Sequence, residues 1–160
     1  TQGVSSAASD VYKRQIDNVL FATIHLPAEN NHYMASAGGN SEFEDRATAN
    51  REWIKRLGLQ ARMERRSLIV LFCDGNPLPA PARRGEQRDG FAEVRQQLRQ
   101  LAEKSDARVL LIQGPEQRSP KVPREIVWDG RLGYVNLRAG VSGFTVDLAA
   151  PVPVVMSEEP

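Results

Sequence analysis

The side chains best suited to chemistry follow three apolar runs of this 160-residue chain. His25 and Asp74 come directly after the first two runs. The full set of candidates is His25, Asn30, Asn31 and His32 after the first run, Asp74 after the second, and Glu116 and Gln117 after the third. Imidazole and carboxylate groups at adjacent strand ends can hold a divalent cation, and amides can donate to an anion. The pattern predicts His25 as a metal ligand and the others as possible ligand or substrate contacts.

Each candidate also has a purely structural interpretation. The imidazole of His25 could hydrogen-bond a backbone carbonyl, and the Asn30-Asn31 pair could close an Asx turn. Asp74 precedes a glycine, as turn residues often do. Cys73 is typical of a small buried apolar residue, and no neighbour in the sequence marks it as an activated thiolate.

Composition excludes several classes of protein. Lys and Arg number 21 and Asp and Glu number 20, so the net charge of +1 provides no global field for nucleic acid. No apolar run approaches the ~20 residues that cross a bilayer, which excludes a membrane span. A single cysteine excludes an internal disulfide and Cys-rich zinc modules. The sequence also lacks a nucleophile elbow, a phosphate loop and a dinucleotide-binding fingerprint.

The elements that must position these residues alternate between strands and helices. Continuous apolar runs at 19–24, 68–73 and 108–112 predict buried strands, and helical spacing predicts helices over 42–66 and 91–104. Short alternating runs at 126–128, 134–137 and 144–148 predict antiparallel strands. We therefore expect one α/β domain over 16–150, with three mainly parallel strands and two helices followed by short antiparallel strands. Residues 151–160 predict an edge strand and a frayed end.

The first fifteen residues carry no periodic pattern and predict a tail. The stretch SSAASDVYKRQ, residues 5–15, resembles the translation of sequencing-adapter read-through at the ends of metagenomic reading frames. That resemblance implies that 1–15 is non-native and that the protein's own N-terminal portion is missing. A natural disordered terminus is the alternative.

One motif and the order of elements resemble a known family. The run NVLFATIHLP, residues 18–27, is an apolar strand that ends in His and Pro, and an Asn-Asn loop and the helical segment EDRATANREWI follow it. This layout resembles the C-terminal portion of bacterial calcineurin-like metallophosphoesterases. The resemblance implies a partial metallophosphoesterase-like sandwich, phosphoester hydrolysis at a centre of two divalent metal ions, and His25 as a metal ligand.

The chain departs from the family in ways that bear on activity. The family's N-terminal ligand blocks, of Asp-x-His, Gly-Asp and Gly-Asn-His-Glu type, do not occur, and Gly114-Pro115-Glu116-Gln117 stands where the family has Gly-His-x-His. We expect this chain to hold no metal ion or one weakly bound ion, to be inactive by itself, and to need the missing N-terminal half as its structural partner. The alternative is a self-contained, non-catalytic α/β binding domain. A metal-free enzyme using Asp74 and His25 would lack a nucleophile.

Overall fold

The computed structural model describes residues 13–35, 38–78, 88–114, 126–137, 141–150 and 154–158. The described helices are α1 (Ala28–Asn31), α2 (Ser41–Met63) and α3 (Ala92–Lys104), and the strands are β1 (Lys13–Ile16), β2 (Val19–Thr23), β3 (Leu68–Cys73), β4 (Arg108–Gln113), β5 (Val127–Asp129), β6 (Leu132–Asn136), β7 (Val141–Val146) and β8 (Val154–Glu158). None of the described helices combines the length and apolar character that a membrane span needs.

A mostly parallel sheet organises the described elements. Its strand order is β1-β2-β3-β4-β6-β5, and β7 and β8 form a separate two-stranded sheet. The four central strands, β2, β3, β4 and β6, run parallel to one another, and the outer strands β1 and β5 pair antiparallel with their neighbours. The chain is therefore mixed α/β, as its alternation of strand and helix patterns predicts.

One face of this sheet is covered by the two long helices. Alternate residues of the central strands, such as Leu20, Ile69 and Leu111, belong to one buried cluster with Leu57 of α2 and Leu98 of α3. The helices also approach each other closely, because a Cβ on Gly58 of α2 would lie 3.0 Å from a methyl carbon of Leu101. Both long helices thus lie on the same side of the sheet.

The opposite face is covered in part by the β7-β8 sheet. Val70, Leu110 and Val135 point to this side and form a second cluster with Val154 of β8, while Phe144 of β7 packs against it. Phe72 of β3 remains 37% exposed on this side. The described elements therefore form three layers, with helices on one side of the main sheet and a two-stranded sheet on the other.

The structure corrects the sequence-based expectation in two respects. We expected the run that contains Tyr134 to lie in an antiparallel region, but β6 pairs parallel with β4 and only its other neighbour, β5, is antiparallel. The physical reason is that β6 has a buried residue on both faces, Leu132 and Val135, which suits a central position. Strand β1 also begins at Lys13, inside the segment expected to be a tail, and β8 is the expected late strand.

Candidate functional site at the carboxyl edge of the sheet

His25 lies where expected, just beyond the carboxyl end of β2. Ile24 extends the pairing of β2 with β3, since its N–H donates to the carbonyl of Phe72 at 2.9 Å. Two side chains of α2 then hold the strand end: the amide of Asn50 donates to the His25 carbonyl at 2.9 Å, and the indole of Trp53 donates to the Thr23 carbonyl at 3.0 Å. The imidazole itself is exposed. The backbone of His25 is thus fixed while its side chain faces solvent.

The residues after Pro27 form a left-handed turn that covers most of α1, so this short element is not a regular right-handed helix. Glu29, Asn30, Asn31 and His32 have φ values of 58°, 58°, 57° and 53°. Residues other than glycine adopt this region rarely, and Asn is among those that tolerate it best. Four consecutive residues in this conformation need support from the rest of the fold. The Asn-Asn loop that follows β2 therefore begins with a strained left-handed turn.

Both asparagine amides bind the backbone just before α3. Asn30 accepts from the Gly90 N–H at 2.8 Å and donates to the Arg88 carbonyl at 3.0 Å. Asn31, which is buried, donates to the Gly90 carbonyl at 3.1 Å. We call this set of bonds the Asn-Gly90 clamp. The side chains of both residues thus form tertiary hydrogen bonds to the segment before α3 rather than the local Asx turn considered from sequence.

A buried arginine of α2 supports the same left-handed turn. Arg46 of α2 is only 4% exposed, and its guanidinium donates to the Asn31 carbonyl at 2.6 Å and to the Asn31 side-chain oxygen at 3.4 Å. It also forms an ion pair with Glu42, one helical turn earlier. Because a buried charge is costly unless it is paired, this arrangement fixes both the charge and the turn.

Asp74 lies at the end of the neighbouring strand β3 and is exposed. Gly114, which follows β4, donates its N–H to the Cys73 carbonyl at 2.9 Å. A Cβ on Gly114 would lie 3.4 Å from the Asp74 carboxylate, so this carboxylate lies over the end of β4. His32 is also exposed, while Glu116 and Gln117 lie outside the described residues.

Two buried amides also lie at this edge, one of which, Gln113, the sequence already places at the end of its strand. Gln113 ends β4 and Asn136 ends β6, and the two are paired in register. Both are buried, and the side-chain nitrogen of Gln113 has no hydrogen-bond partner among the described residues. A polar residue that closes an apolar strand was the available signal for Gln113. Asn136 gave no such signal, because β6 was not expected to join the parallel strands.

The Cys73 thiol is unsuited to nucleophilic chemistry. Burial, and then the neighbouring Asp74 carboxylate, raise its pKa from 9.0 to about 12. Its sulfur lies 3.2 Å from the Gly75 carbonyl oxygen, to which the thiol can donate. A nucleophilic cysteine needs the opposite shift. The structure therefore agrees with the interpretation of Cys73 as a small buried residue.

This pKa shift predicts a loss of stability at alkaline pH. The unfolded thiol ionises above about pH 9 and the folded thiol only near 12, so the contribution of Cys73 to stability is complete below pH 9. It then falls by ~1.4 kcal/mol per pH unit up to about pH 12. Urea unfolding of the natural chain and of Cys73→Ala should show their stability difference shrinking by roughly 2 kcal/mol between pH 8 and 10.5. A difference that stays constant over this range would contradict the shift.

The carboxyl edge thus carries the exposed imidazole of His25, the exposed carboxylate of Asp74 and the buried amides of Gln113 and Asn136, beside the turn that contains Asn31 and His32. Among the described residues, no three His, Cys, Asp or Glu side chains come together as a metal-binding group. Comparison of the chain with models of protein families, with curated proteins and with solved structures found no match.

Proposed function

We propose that this chain is an α/β unit of the calcineurin-like metallophosphoesterase type, with His25 as a metal ligand, and that it has no turnover by itself. The observation that supports this proposal is the exposed imidazole of His25 at the carboxyl end of a central parallel strand. Ligands of open α/β sheets bind at this edge. The hydrogen bonds from Asn50 and Trp53 to the end of β2 would keep the His25 backbone in place while its imidazole binds a metal ion.

The absence of turnover follows from the number of ligands. Hydrolysis at two metal ions needs several fixed ligands around an activated water, and one imidazole cannot supply them. Asn30 and Asn31 are engaged in the clamp. Further ligands for divalent metal ions and a phosphoester substrate would come from Asp74 and His32, which are exposed, from Glu116 and Gln117, or from a complementary N-terminal portion.

A manganese titration with a generic aryl phosphate tests this proposal. We expect no hydrolysis above that of the His25→Ala variant, and at most one Mn²⁺ bound with a Kd of roughly 1 mM. This binding should be lost in His25→Ala and kept in His32→Ala, which removes the other histidine of the chain. Turnover that His25→Ala abolishes would contradict the inactivity. Manganese binding that His25→Ala leaves unchanged would contradict the role of His25.

A second candidate, a non-catalytic binding domain, is favoured by the burial on both faces of the main sheet. Leu110 and Val135 on one face and Leu111 on the other are all nearly inaccessible to solvent. A binding domain should unfold in one cooperative transition and bind little hydrophobic dye, whereas an isolated half of a sandwich should expose apolar surface and bind the dye strongly.

A further inference from the structure

We propose that a cleft at the opposite, amino edge of the sheet binds an anion with two linked phosphoryl groups. This arginine cleft has a volume of about 540 Å³ and includes Arg62, Arg65, Arg66, Asp106, Arg108 and Arg131 in its lining. The volume falls within the range of small-molecule sites. The inference is independent of the proposed function, because His25 and Asp74 lie at the other end of the strands.

Three successive chain segments bring these side chains together. The end of α2 supplies Arg62, Arg65 and Arg66, the turn from α3 into β4 supplies Asp106 and Arg108, and the β5-β6 turn supplies Arg131. In a parallel sheet, all of these segments lie at the amino ends of the strands. Residues far apart in sequence thus line one cleft.

The cleft carries a strong excess of positive charge. Five guanidinium groups and the Asp106 carboxylate line the cleft, and the Glu64 carboxylate pairs with Arg66 beside it, so three positive charges remain in excess in a chain whose net charge is +1. The only carboxylate of the lining, Asp106, lies 3.5 Å from Arg131, and both side chains are exposed. Arg66 pairs with Glu64 at 3.0 Å. Arg62 and Arg65 form no ion pair with any residue that the structure describes.

Helix capping does not account for these arginines. The Arg66 N–H donates to the Ala61 carbonyl at 2.8 Å and the Arg65 N–H to the Arg62 carbonyl at 3.2 Å. This is the Schellman pattern, in which the backbone satisfies the last carbonyls of the helix. Arg65 occupies its left-handed position with φ of 53°, where glycine is the usual residue. The chain thus has an arginine at a position where its backbone favours glycine.

Phosphate chemistry fits this cleft best. Guanidinium groups bind phosphate oxygens through paired hydrogen bonds, and the planar fork suits this geometry. A single phosphate carries a charge of about −1.5 to −2 at neutral pH, so two linked phosphates balance the excess of three positive charges. We therefore infer a diphosphate, either inorganic or as part of a nucleoside diphosphate.

Calorimetric titration of the full chain with inorganic diphosphate, without added metal, tests the inference. We expect a Kd of roughly 10 µM at low salt, weakened at least about tenfold in the double variant Arg62→Gln/Arg65→Gly. The charge-matched control Arg56→Gln/Arg99→Gln, outside the cleft, should change the Kd less than about twofold. Arg65→Gly also relieves the left-handed backbone, so it should raise the Tm by about 2–4 °C. A loss of binding in this variant at an unchanged or raised Tm therefore cannot come from unfolding.

Titrations with orthophosphate and with ADP identify which phosphate compound the cleft binds. Orthophosphate should bind at least about tenfold more weakly than diphosphate, because it meets fewer guanidinium groups. Equal or tighter binding of ADP would support a nucleoside diphosphate, and weaker binding would support the inorganic ion. Absence of diphosphate binding at about 1 mM, or an equal loss in the control variant, would overturn the proposal.

Discussion

Replacement of Gly90 by alanine should destabilise the chain by about 3 kcal/mol, the high end of overpacking costs. A methyl group at Gly90 would overlap the carbonyl oxygen of Asn30 and lie 3.0 Å from Cβ of Tyr33. The backbone oxygen cannot move without breaking the Asn-Gly90 clamp, whose three hydrogen bonds join the left-handed turn to the start of α3. Urea unfolding followed by circular dichroism measures the loss.

Gly143→Ala is the matched control for this substitution. A Cβ at Gly143 would meet nothing within 4 Å, and the residue lies in β7. The free energy of unfolding of Gly143→Ala should differ from that of the natural chain by no more than about 0.5 kcal/mol. Equal stability of the Gly90 and Gly143 variants would show that the turn and the start of α3 move apart freely, and that the clamp contributes little.

Replacement of Arg46 by methionine should cost roughly 2–3 kcal/mol. The substitution keeps much of the apolar length of the side chain but removes the donors to the carbonyl and side-chain oxygens of Asn31, which is buried. An unsatisfied buried acceptor costs its full desolvation energy. Glu42 is largely exposed, so losing its partner should matter little. Thermal and urea unfolding both measure the change.

Arg56→Met in the same helix is the control, because Arg56 is exposed. Its effect should stay within about 0.5 kcal/mol. Amide hydrogen exchange adds a second measurement: in Arg46→Met, protection should fall first at residues 29–33 and 88–91, which the clamp connects. A uniform fall across the sheet would contradict a local role of Arg46.

The Gly90 and Arg46 substitutions act on one structure, so their effects should not add. Arg46 holds Asn31 from α2, and Asn31 in turn holds Gly90. Once either contact is lost, the left-handed residues Glu29 to His32 lose part of the support that their backbone needs. The double variant should therefore be more stable than the sum of the two losses predicts.

Local sequence patterns were sufficient for the main strands and helices. The runs at 68–73 and 108–112 are uniformly apolar because both faces of β3 and β4 are buried, and this signal requires no knowledge of neighbours. The periodic apolar residues of α2 and α3 likewise face the sheet. The mixed α/β class and the parallel order of β2, β3 and β4 followed from these patterns.

Pairing partners were less accessible from sequence. Leu132 and Val135 belong to a short run of residues near glycines, and this sequence pattern is typical of an antiparallel hairpin. One partner of β6 is indeed the antiparallel β5, but its other partner is β4, the strand that precedes β5 in the chain. Side-chain alternation is the same in both arrangements, so the direction of pairing could not be deduced from the run itself.

For the candidate residues too, the sequence predicted local positions but not tertiary contacts. By itself, the sequence determined that His25, Asp74, Asn30 and Asn31 lie at strand ends and in turns, because apolar runs and turn residues are local signals. The tertiary structure alone decided that the asparagine amides bind Gly90 and that a buried Arg46 supports them. It also gathered the arginines of three distant segments into one cleft. Such contacts depend on where separate elements meet in space, and that position follows from the packing of the whole sheet rather than from neighbouring residues.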